Sequence, residues 1–352
     1  MNQPFKELKI VELASVLAAP SVGMFFAELG AEVIKVENKL TNGDVTRSWK
    51  TASEQKEKNV SAYFSSINWG KEHLFLDFKD GNDINNLKKL LEDCDIVLCN
   101  FKVGDAQKFG LEFEDIKAIN PTVIYADLKG FKNDSRVAYD VVLQAETGYM
   151  YMNGHHDSAP TKMPIAFMDV LAGHQMKEGI LTALYQRTKT NKAIKVEVTL
   201  EEAALSGLVN QASNWLMNKH LPTRMGSKHP NIAPYGETFK TKDDKYIVLA
   251  IGSEKQFINL LSILDLEYIS YFKTNQNRLK NRDKLEDYLK PAFKKYDRNI
   301  ILEKSNNLNI PIASIKNLEE VFETKTAKDL ILEENIEGIV TRRVKSVIFE
   351  LK

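Results

Sequence analysis

The sequence predicts an α/β fold with a Rossmann-like parallel sheet, followed after a break by a second region of mixed α and β character. Five apolar segments rich in β-branched residues alternate with amphipathic helical segments over the first third of the chain. Alternation of strand and helix favours a parallel sheet with helices on its faces. The stretch 221–236 contains three Pro and two Gly, which are typical of a boundary.

The elements follow in chain order. Strands are predicted over 7–14, 31–37, 73–78, 95–101 and 122–128, with helices over 20–30, 82–94 and 113–120 between them. A long helix over 171–190, a strand over 193–200 and a helix over 200–220 come next. Beyond the boundary, 237–253 predicts a hairpin with Asp243 and Asp244 in its turn, and 338–351 alternates like a strand pair.

Size and composition exclude several classes of protein. A chain of 352 residues corresponds to about two domains. Lys plus Arg and Asp plus Glu are 48 each, and this zero net charge argues against bulk attraction to nucleic acid or to an anionic membrane. No secretion signal or membrane-spanning run is recognised. Cys94 and Cys99 fit neither a disulfide framework nor a zinc site, so we expect reduced core thiols in a cytoplasmic protein without a metal.

The usual cofactor motifs are missing from this sheet. The sequence has no GxGxxG after a strand, no GxxxxGK[ST], no HExxH and no GxSxG. We therefore expect neither NAD nor ATP. Ligands of parallel sheets gather beyond the carboxyl ends of the strands, so the loops after the predicted strands are the first places to look for a site.

Several segments together resemble the class III CoA-transferases, also called the CaiB–BaiF family. They include VLAAPSVGMFFAELGAEVIKVE, GDVTRSW, NWGKEHLFLDFKD, CNFKVG, AYDVVLQAETG, AFMDVLAG and NIPIASIKNLEEVF. Each match is weak, but they occur in the family's order from about residue 8 to about residue 325. The resemblance implies an enzyme that uses coenzyme A as a co-substrate, with no permanently bound cofactor, and whose partners are an acyl-CoA and a carboxylic acid.

The resemblance also implies an architecture. A large CoA-binding α/β domain would comprise 1–200, completed by 325–352, with a linker helix region at 201–225 and a smaller α+β domain at 226–324. Two ring-like chains would interlock as a homodimer, with the site between domains of different chains.

Asp169 matches the family's nucleophile in D-x-x-x-G. A carboxylate can attack an acyl-CoA thioester to give a mixed anhydride, which the CoA thiolate converts to an aspartyl-CoA thioester. Gly173, one helical turn later, would allow close approach of backbone or ligand. The plainer interpretation is that Asp169 is the N-cap of the following helix; the two roles are compatible, since a helix N-terminus favours the anion.

Other family matches predict the CoA contacts. They place Val16 and Ala18 beside the ligand, Lys71 near the adenosine end and Asn100 with Phe101 along the pantetheine–nucleotide path. Further candidates are Lys108, which stands where many relatives have Arg, Lys129 before the active site, and Leu17, Asn38 and Tyr139. Ala19 replaces a family Gly, Leu17 a Gln of formyl-CoA-type relatives, and Asn38 an Arg. These departures put oxalate- or formate-type substrates in doubt.

Two alternatives remain open. A racemase branch of the family pairs this Asp with an upstream His, but Tyr139 stands at the His position here. A phenol with a pKa near 10 is a poor base at neutral pH, which favours the transferase. A CoA-binding homologue that has lost catalysis is the other alternative.

Overall fold

The computed structural model describes residues 3–351 and contains one six-stranded sheet in which every strand is parallel to its neighbours. Its strands are β1 (Lys9–Leu13), β2 (Glu32–Asn38), β3 (Glu72–Leu76), β4 (Ile96–Cys99), β5 (Ile124–Lys129) and β6 (Ile194–Thr199). The order is β3-β2-β1-β4-β5-β6, which reverses direction between β1 and β4. This is the strand order of a Rossmann-type sheet, and the predicted parallel α/β fold is confirmed.

Helices cover the sheet. The first eight are α1 (Ala18–Glu28), α2 (Ala62–Ser65), α3 (Gly81–Glu92), α4 (Asp105–Phe109), α5 (Phe113–Ile119), α6 (Asp140–Glu146), α7 (Tyr149–Met152) and α8 (Phe167–Thr190). The rest are α9 (Leu200–Ser206), α10 (Val209–Asn218), α11 (Glu254–Ile263), α12 (Asn275–Lys280), α13 (Arg282–Phe293), α14 (Arg298–Asn307), α15 (Leu318–Phe322) and α16 (Lys325–Lys328). The centre of the sheet is dry, since all four residues of β4 are buried, as is most of α1.

Two helix predictions need correction. The long helix α8 begins at Phe167, four residues before the predicted start, so Asp169 lies inside its first turn and Ala166 is the N-cap. The helix predicted over 200–220 is two helices, α9 and α10, because Val209 adopts a positive φ of 43° just after Gly207.

The chain forms two compact units. The first comprises residues 3–149, 162–213 and 326–351, and holds the parallel sheet. It also contains an antiparallel hairpin, β10 (Ile331–Ile336) with β11 (Ile339–Val344). The strand pair predicted over 338–351 is thus shifted, since its first strand lies before Gly338, which forms the turn with a φ of 79°.

The second unit comprises residues 150–161 and 214–325 and has its own core. Its antiparallel sheet has the order β7 (Tyr235–Lys240), β8 (Tyr246–Ala250) and β9 (Ile312–Ser314), so the predicted hairpin with Asp243 and Asp244 in its turn is confirmed. Helices α11, α13 and α14 pack buried apolar residues against these strands. Within residues 3–351, no helix is both long and apolar enough to cross a bilayer.

Candidate active site

Asp169 is a buried carboxylate at the start of α8, with only 6% of its surface exposed. Burial, and after it the negative charge of Asp140, raise the pKa of Asp169 to about 7 from an ordinary value of 3.8. Burial therefore outweighs the helix N-terminus, which was expected to favour the anion. Near neutral pH this carboxylate is divided between its acid and anionic forms.

Asp140 fixes the backbone around Asp169. One oxygen of the Asp140 carboxylate accepts a hydrogen bond from the Met168 backbone N–H at 2.7 Å, and the other accepts one from Gln144 Nε2 at 2.6 Å. Gln144 is fully buried, and its Oε1 accepts from the Met163 backbone N–H at 2.7 Å. The two side chains of α6 thus hold the segment that leads into α8. Asp140 is a residue of the site that the sequence analysis did not single out.

Tyr63 is a second residue that sequence reasoning missed. Burial, followed by the negative charges of Asp169, Asp140 and Asp44, raises the pKa of Tyr63 to about 12. The phenol is therefore protonated at neutral pH, and the charges of Asp169 and Asp140 act on it. The ring makes an edge contact with Trp49 at a centroid distance of 5.1 Å.

The first turn of α1 packs against α8 beside Asp169. A Cβ on Gly173 would lie 2.6 Å from Ser21 Oγ and 3.1 Å from the carbonyl oxygen of Ala18. The close approach expected at Gly173 is therefore made by the α1 backbone. Leu17 is the N-cap of α1 and Val16 precedes it with a positive φ of 73°. Ala18, two residues after Val16, therefore lies against the helix that carries Asp169.

A cavity of about 580 Å³ opens at the carboxyl ends of β1, β2 and β4. Its walls include Ser15 after β1, Asn38 at the end of β2, and Asn100 with Phe101 after β4. The cavity lies where the strand order reverses, which is the usual ligand position in open parallel sheets. Three of the predicted contact residues, Asn38, Asn100 and Phe101, are brought together here.

The cavity offers an aromatic wall and few free cations. Phe109 lies 5.4 Å from Phe78 and 6.4 Å from Phe101 between ring centroids, and the three tilted rings make an apolar wall of the cavity. Of the two basic side chains in its walls, Arg47 is buried and bound to both oxygens of Glu37, at 2.6 and 2.7 Å. The other is Lys102, which is exposed.

Lys71 lies in the interior of the first unit. Its ammonium group lies 2.8 Å from a Glu12 oxygen and donates to the Pro20 carbonyl at 2.8 Å and to Asn68 Oδ1 at 2.9 Å. Burial lowers the pKa of Lys71 to about 8. Since all three of its hydrogens have buried acceptors, this geometry does not support the expected contact with the adenosine end of CoA.

The remaining predicted residues are spread over the first unit. Lys108 is exposed on α4. Lys129 Nζ lies 2.6 Å from Glu197, and Lys129 lines a second cavity of about 740 Å³ that shares Phe101 and Lys102 with the first. Tyr139 is the half-exposed N-cap of α6, beside Asp140. Asp169 lines neither cavity. No group of three potential metal ligands exists in the described chain.

Fold and site together define an open α/β protein with a ligand cavity at the topological switch point and a buried carboxylate with a raised pKa. Residues 5–346 match the model of CoA-transferase family III, and the chain belongs to this family. The predicted family and the predicted enzyme class are thereby confirmed.

Individual relatives agree with this assignment. The chain is 31% identical over 329 residues to a succinate–glutarate CoA-transferase of Agrobacterium fabrum, covering 91% of this chain and 82% of that protein. It is 33% identical to a succinyl-CoA:glutarate CoA-transferase of Homo sapiens, covering 91% and 73%. A crystal structure of a CAIB/BAIF family protein from Brucella suis superposes with a TM-score of 0.85 at 33% identity, covering 99% of this chain and 93% of that one.

Proposed function

We propose that this CoA-transferase moves CoA between two carboxylic acids through a thioester on Asp169. The Asp169 carboxylate attacks the carbonyl carbon of the donor thioester, the C–S bond breaks, and a mixed anhydride and CoA thiolate result. The thiolate then attacks the Asp169 carbonyl of the anhydride, releasing the donor acid and leaving aspartyl-CoA. The acceptor carboxylate reverses both steps, which returns free Asp169.

The burial of Asp169 carries this proposal. A nearly dry carboxylate with a pKa of about 7 is less stabilised by solvent than an exposed one and is a stronger nucleophile toward a carbonyl. Dryness also protects an anhydride and a thioester from hydrolysis. The O–H of Tyr63, which remains protonated, is suited to donate to the carbonyl oxygen on which negative charge develops.

We further propose that donor and acceptor are dicarboxylic acids. Several relatives that match over most of this chain are named for succinate, glutarate or mesaconate, and one that is 30% identical is named an acetyl-CoA:oxalate CoA-transferase. The last of these weakens the argument from Leu17 against oxalate. Leu17 provides an apolar surface at the N-cap of α1, which suits the methylene groups of longer diacids such as succinate and glutarate.

The racemase alternative finds no support at the position where a second base is required. Tyr139 stands beside Asp140, and the carboxylate of Asp140 is occupied by Met168 N–H and Gln144. An inactive CoA-binding homologue would not need a buried carboxylate with a raised pKa, which costs stability. Labelled-proton exchange at the α-carbon of an acyl-CoA, without acceptor, would indicate the racemase.

The assembly proposed for the enzyme is a homodimer. Helix α10 has no buried residue in the single chain. Three of its large apolar side chains are exposed, Trp215 at 45%, Leu216 at 68% and Met217 at 80%. Apolar side chains of this size require cover in water, and a second copy of the chain would supply it. The interlocked arrangement, the domain limits at 200, 225 and 325, and the cytoplasmic location stay predictions. Light scattering of the diluted protein should show a dimer, and a folded monomer would contradict the proposal.

A panel of donors and acceptors tests the substrate class. Succinyl-CoA, acetyl-CoA and butyryl-CoA should each be mixed with glutarate, oxalate or butyrate, and the new acyl-CoA quantified by chromatography. We expect transfer from succinyl-CoA to glutarate to exceed transfer to butyrate by about 5- to 150-fold, since a lost polar contact to the second carboxylate is worth about 1–3 kcal/mol. Equal rates with butyrate would refute the preference for diacids while leaving CoA transfer intact.

A further inference from the structure

A buried charge cluster lies beneath the loop that joins β1 to α1. Lys35 Nζ, fully buried on β2, is 2.9 Å from Glu12 Oε1 and 3.0 Å from Asp44 Oδ2. The same Glu12 carboxylate pairs with Lys71 at 2.8 Å. The cluster contains two cations and two carboxylates, so its charge balances. Buried pairs of this kind contribute little net stability over apolar packing, so their presence calls for another reason.

Lys35 and Asp44 of the cluster, together with Asn100, form hydrogen bonds to the backbone of this loop. Lys35 Nζ donates to the carbonyl of Ala14 at 2.7 Å. Asn100 binds both backbone groups of Ser15, at 3.1 Å for its N–H and 2.8 Å for its carbonyl. The carboxylate of Asp44 accepts from the backbone N–H of Val16 at 3.3 Å. Three consecutive residues are therefore each held through their backbone by a buried or partly buried polar side chain.

Val16 is the residue for which such restraint is needed. Its φ of 73° is in the left-handed region, which is a genuine outlier for a β-branched residue. A conformation of this kind persists only where the surroundings impose it, and it is characteristic of functional sites. Asp44 is itself fixed, because it also accepts from the backbone N–H and the hydroxyl of Thr46, at 3.0 and 2.8 Å.

The loop leads into the first turn of α1, which contacts α8 one turn beyond Asp169. Val16 is followed by Leu17, the N-cap of α1, whose carbonyl accepts from Ser21 N–H at 2.8 Å. The next carbonyl, that of Ala18, contacts α8 at Gly173, one turn beyond Asp169. A change of φ at Val16 would redirect this turn and alter the wall beside the reacting carboxylate.

We propose that Asp44, with Lys35 as its buried counterion, is a positioning residue that holds Val16 in its left-handed conformation and thereby sets the first turn of α1 against Asp169. This proposal rests on the proposed reaction at Asp169. Asp44 acts through the backbone of Val16 and does not itself touch the reacting atoms. It also lines the cavity at β1, β2 and β4.

The Asp44→Asn variant tests the proposal. It is isosteric and leaves Lys35 paired with Glu12, but it weakens the acceptor for Val16 N–H. We expect kcat for CoA transfer to fall about tenfold, with the KM for acyl-CoA within about twofold, because misplacement of a wall by a fraction of an ångström affects mainly the transition state. The matched control is Glu28→Gln, which removes a buried carboxylate at the other end of α1, where it pairs with Arg343 and the tail.

A second test combines Asp44→Asn with Val16→Gly, since Gly adopts a positive φ without strain. If Asp44 serves to hold Val16, adding Asp44→Asn to the Val16→Gly variant should lower kcat much less, about twofold. An equal loss with and without Val16→Gly, or a loss of the same size in Glu28→Gln, would overturn the proposal and indicate a general contribution to folding.

A crystal structure of Asp44→Asn separates this proposal from the proposed function. We expect Val16 to leave the left-handed region in that variant. If the unmodified enzyme forms no adduct at Asp169, the proposed reaction fails, and the structure alone decides the local claim. Retention of a φ near 73° in Asp44→Asn would then refute it.

Discussion

The pKa of Asp169 provides a sharp prediction, because one of its two causes can be removed by a single substitution. Asp140→Asn deletes the neighbouring negative charge, while the amide oxygen can still accept the hydrogen bond from Met168 N–H. Burial is the larger cause and Asp140 the smaller in the rise from 3.8 to about 7. We therefore expect the substitution to lower the pKa of Asp169 by about one, to about 6.

The size of the effect follows from the ionised fraction. With a pKa of about 7, about one tenth of Asp169 is ionised at pH 6 and about nine tenths at pH 8. In Asp140→Asn about half should be ionised at pH 6. The rate of adduct formation at pH 6, divided by that at pH 8, should thus rise from about 0.1 to about 0.5. The ratio does not depend on the absolute activity of the variant.

The assay is a single turnover with succinyl-CoA and no acceptor, quenched in acid and followed by intact-protein mass spectrometry. Glu146→Gln is the matched control, since Glu146 is also on α6 but is exposed and paired with Arg136. Its ratio should stay near about 0.1. An unchanged ratio in Asp140→Asn, or the same increase in Glu146→Gln, would refute the electrostatic role assigned to Asp140.

Three further predictions concern Asp169, Lys71 and Tyr63. The folded state holds the proton on Asp169 more tightly than the unfolded chain does, so the unmodified protein loses stability as pH rises from about 4 to about 7. Asp169→Asn does not have this loss. The difference in free energy of unfolding between Asp169→Asn and the unmodified protein should therefore shift in favour of the variant by roughly 2–4 kcal/mol from pH 4 to pH 8, as urea titrations at both pH values would show. A constant difference would contradict the raised pKa. Lys71→Met should lower the free energy of unfolding by roughly 3–5 kcal/mol, because it leaves Glu12 buried without one of its partners; unchanged stability with a raised KM for acyl-CoA would instead favour a direct contact with CoA. Tyr63→Phe should lower kcat about tenfold through the lost donor, whereas Tyr185→Phe, at a 65% exposed position on α8, should not change it; equal kcat values for the two variants would remove Tyr63 from the site.

The sheet could be predicted from the sequence because its signal is local. Each strand of the parallel sheet is a short apolar run, and helical segments with polar faces separate the runs. The predictions were weaker at helix ends. The start of α8 at Phe167 depends on Asp140, which binds the Met168 N–H from 28 residues away, and no pattern within the helix reveals that contact.

The site could be predicted only in part, because its properties also depend on contacts between residues that are distant in the sequence. The motif around Asp169 identified the carboxylate, but its pKa depends on burial and on Asp140, which are tertiary facts. Lys71 is the opposite case, because a motif suggested a ligand contact and the fold places its ammonium group between Glu12 and Asn68. Tyr63 lies in a segment without a recognisable motif, and only the folded chain brings it near Asp169.

The covalent intermediate itself is the most direct test of the proposed function. The enzyme should be incubated with succinyl-CoA in the absence of acceptor, digested, and analysed by peptide mass spectrometry under reducing conditions, which removes any disulfide of CoA with Cys94 or Cys99. We predict that the peptide containing Asp169 gains the mass of CoA less one water, that glutarate removes the added mass, and that Asp169→Ala never acquires it. Turnover without any adduct on Asp169, or an adduct that persists in Asp169→Ala, would contradict the mechanism.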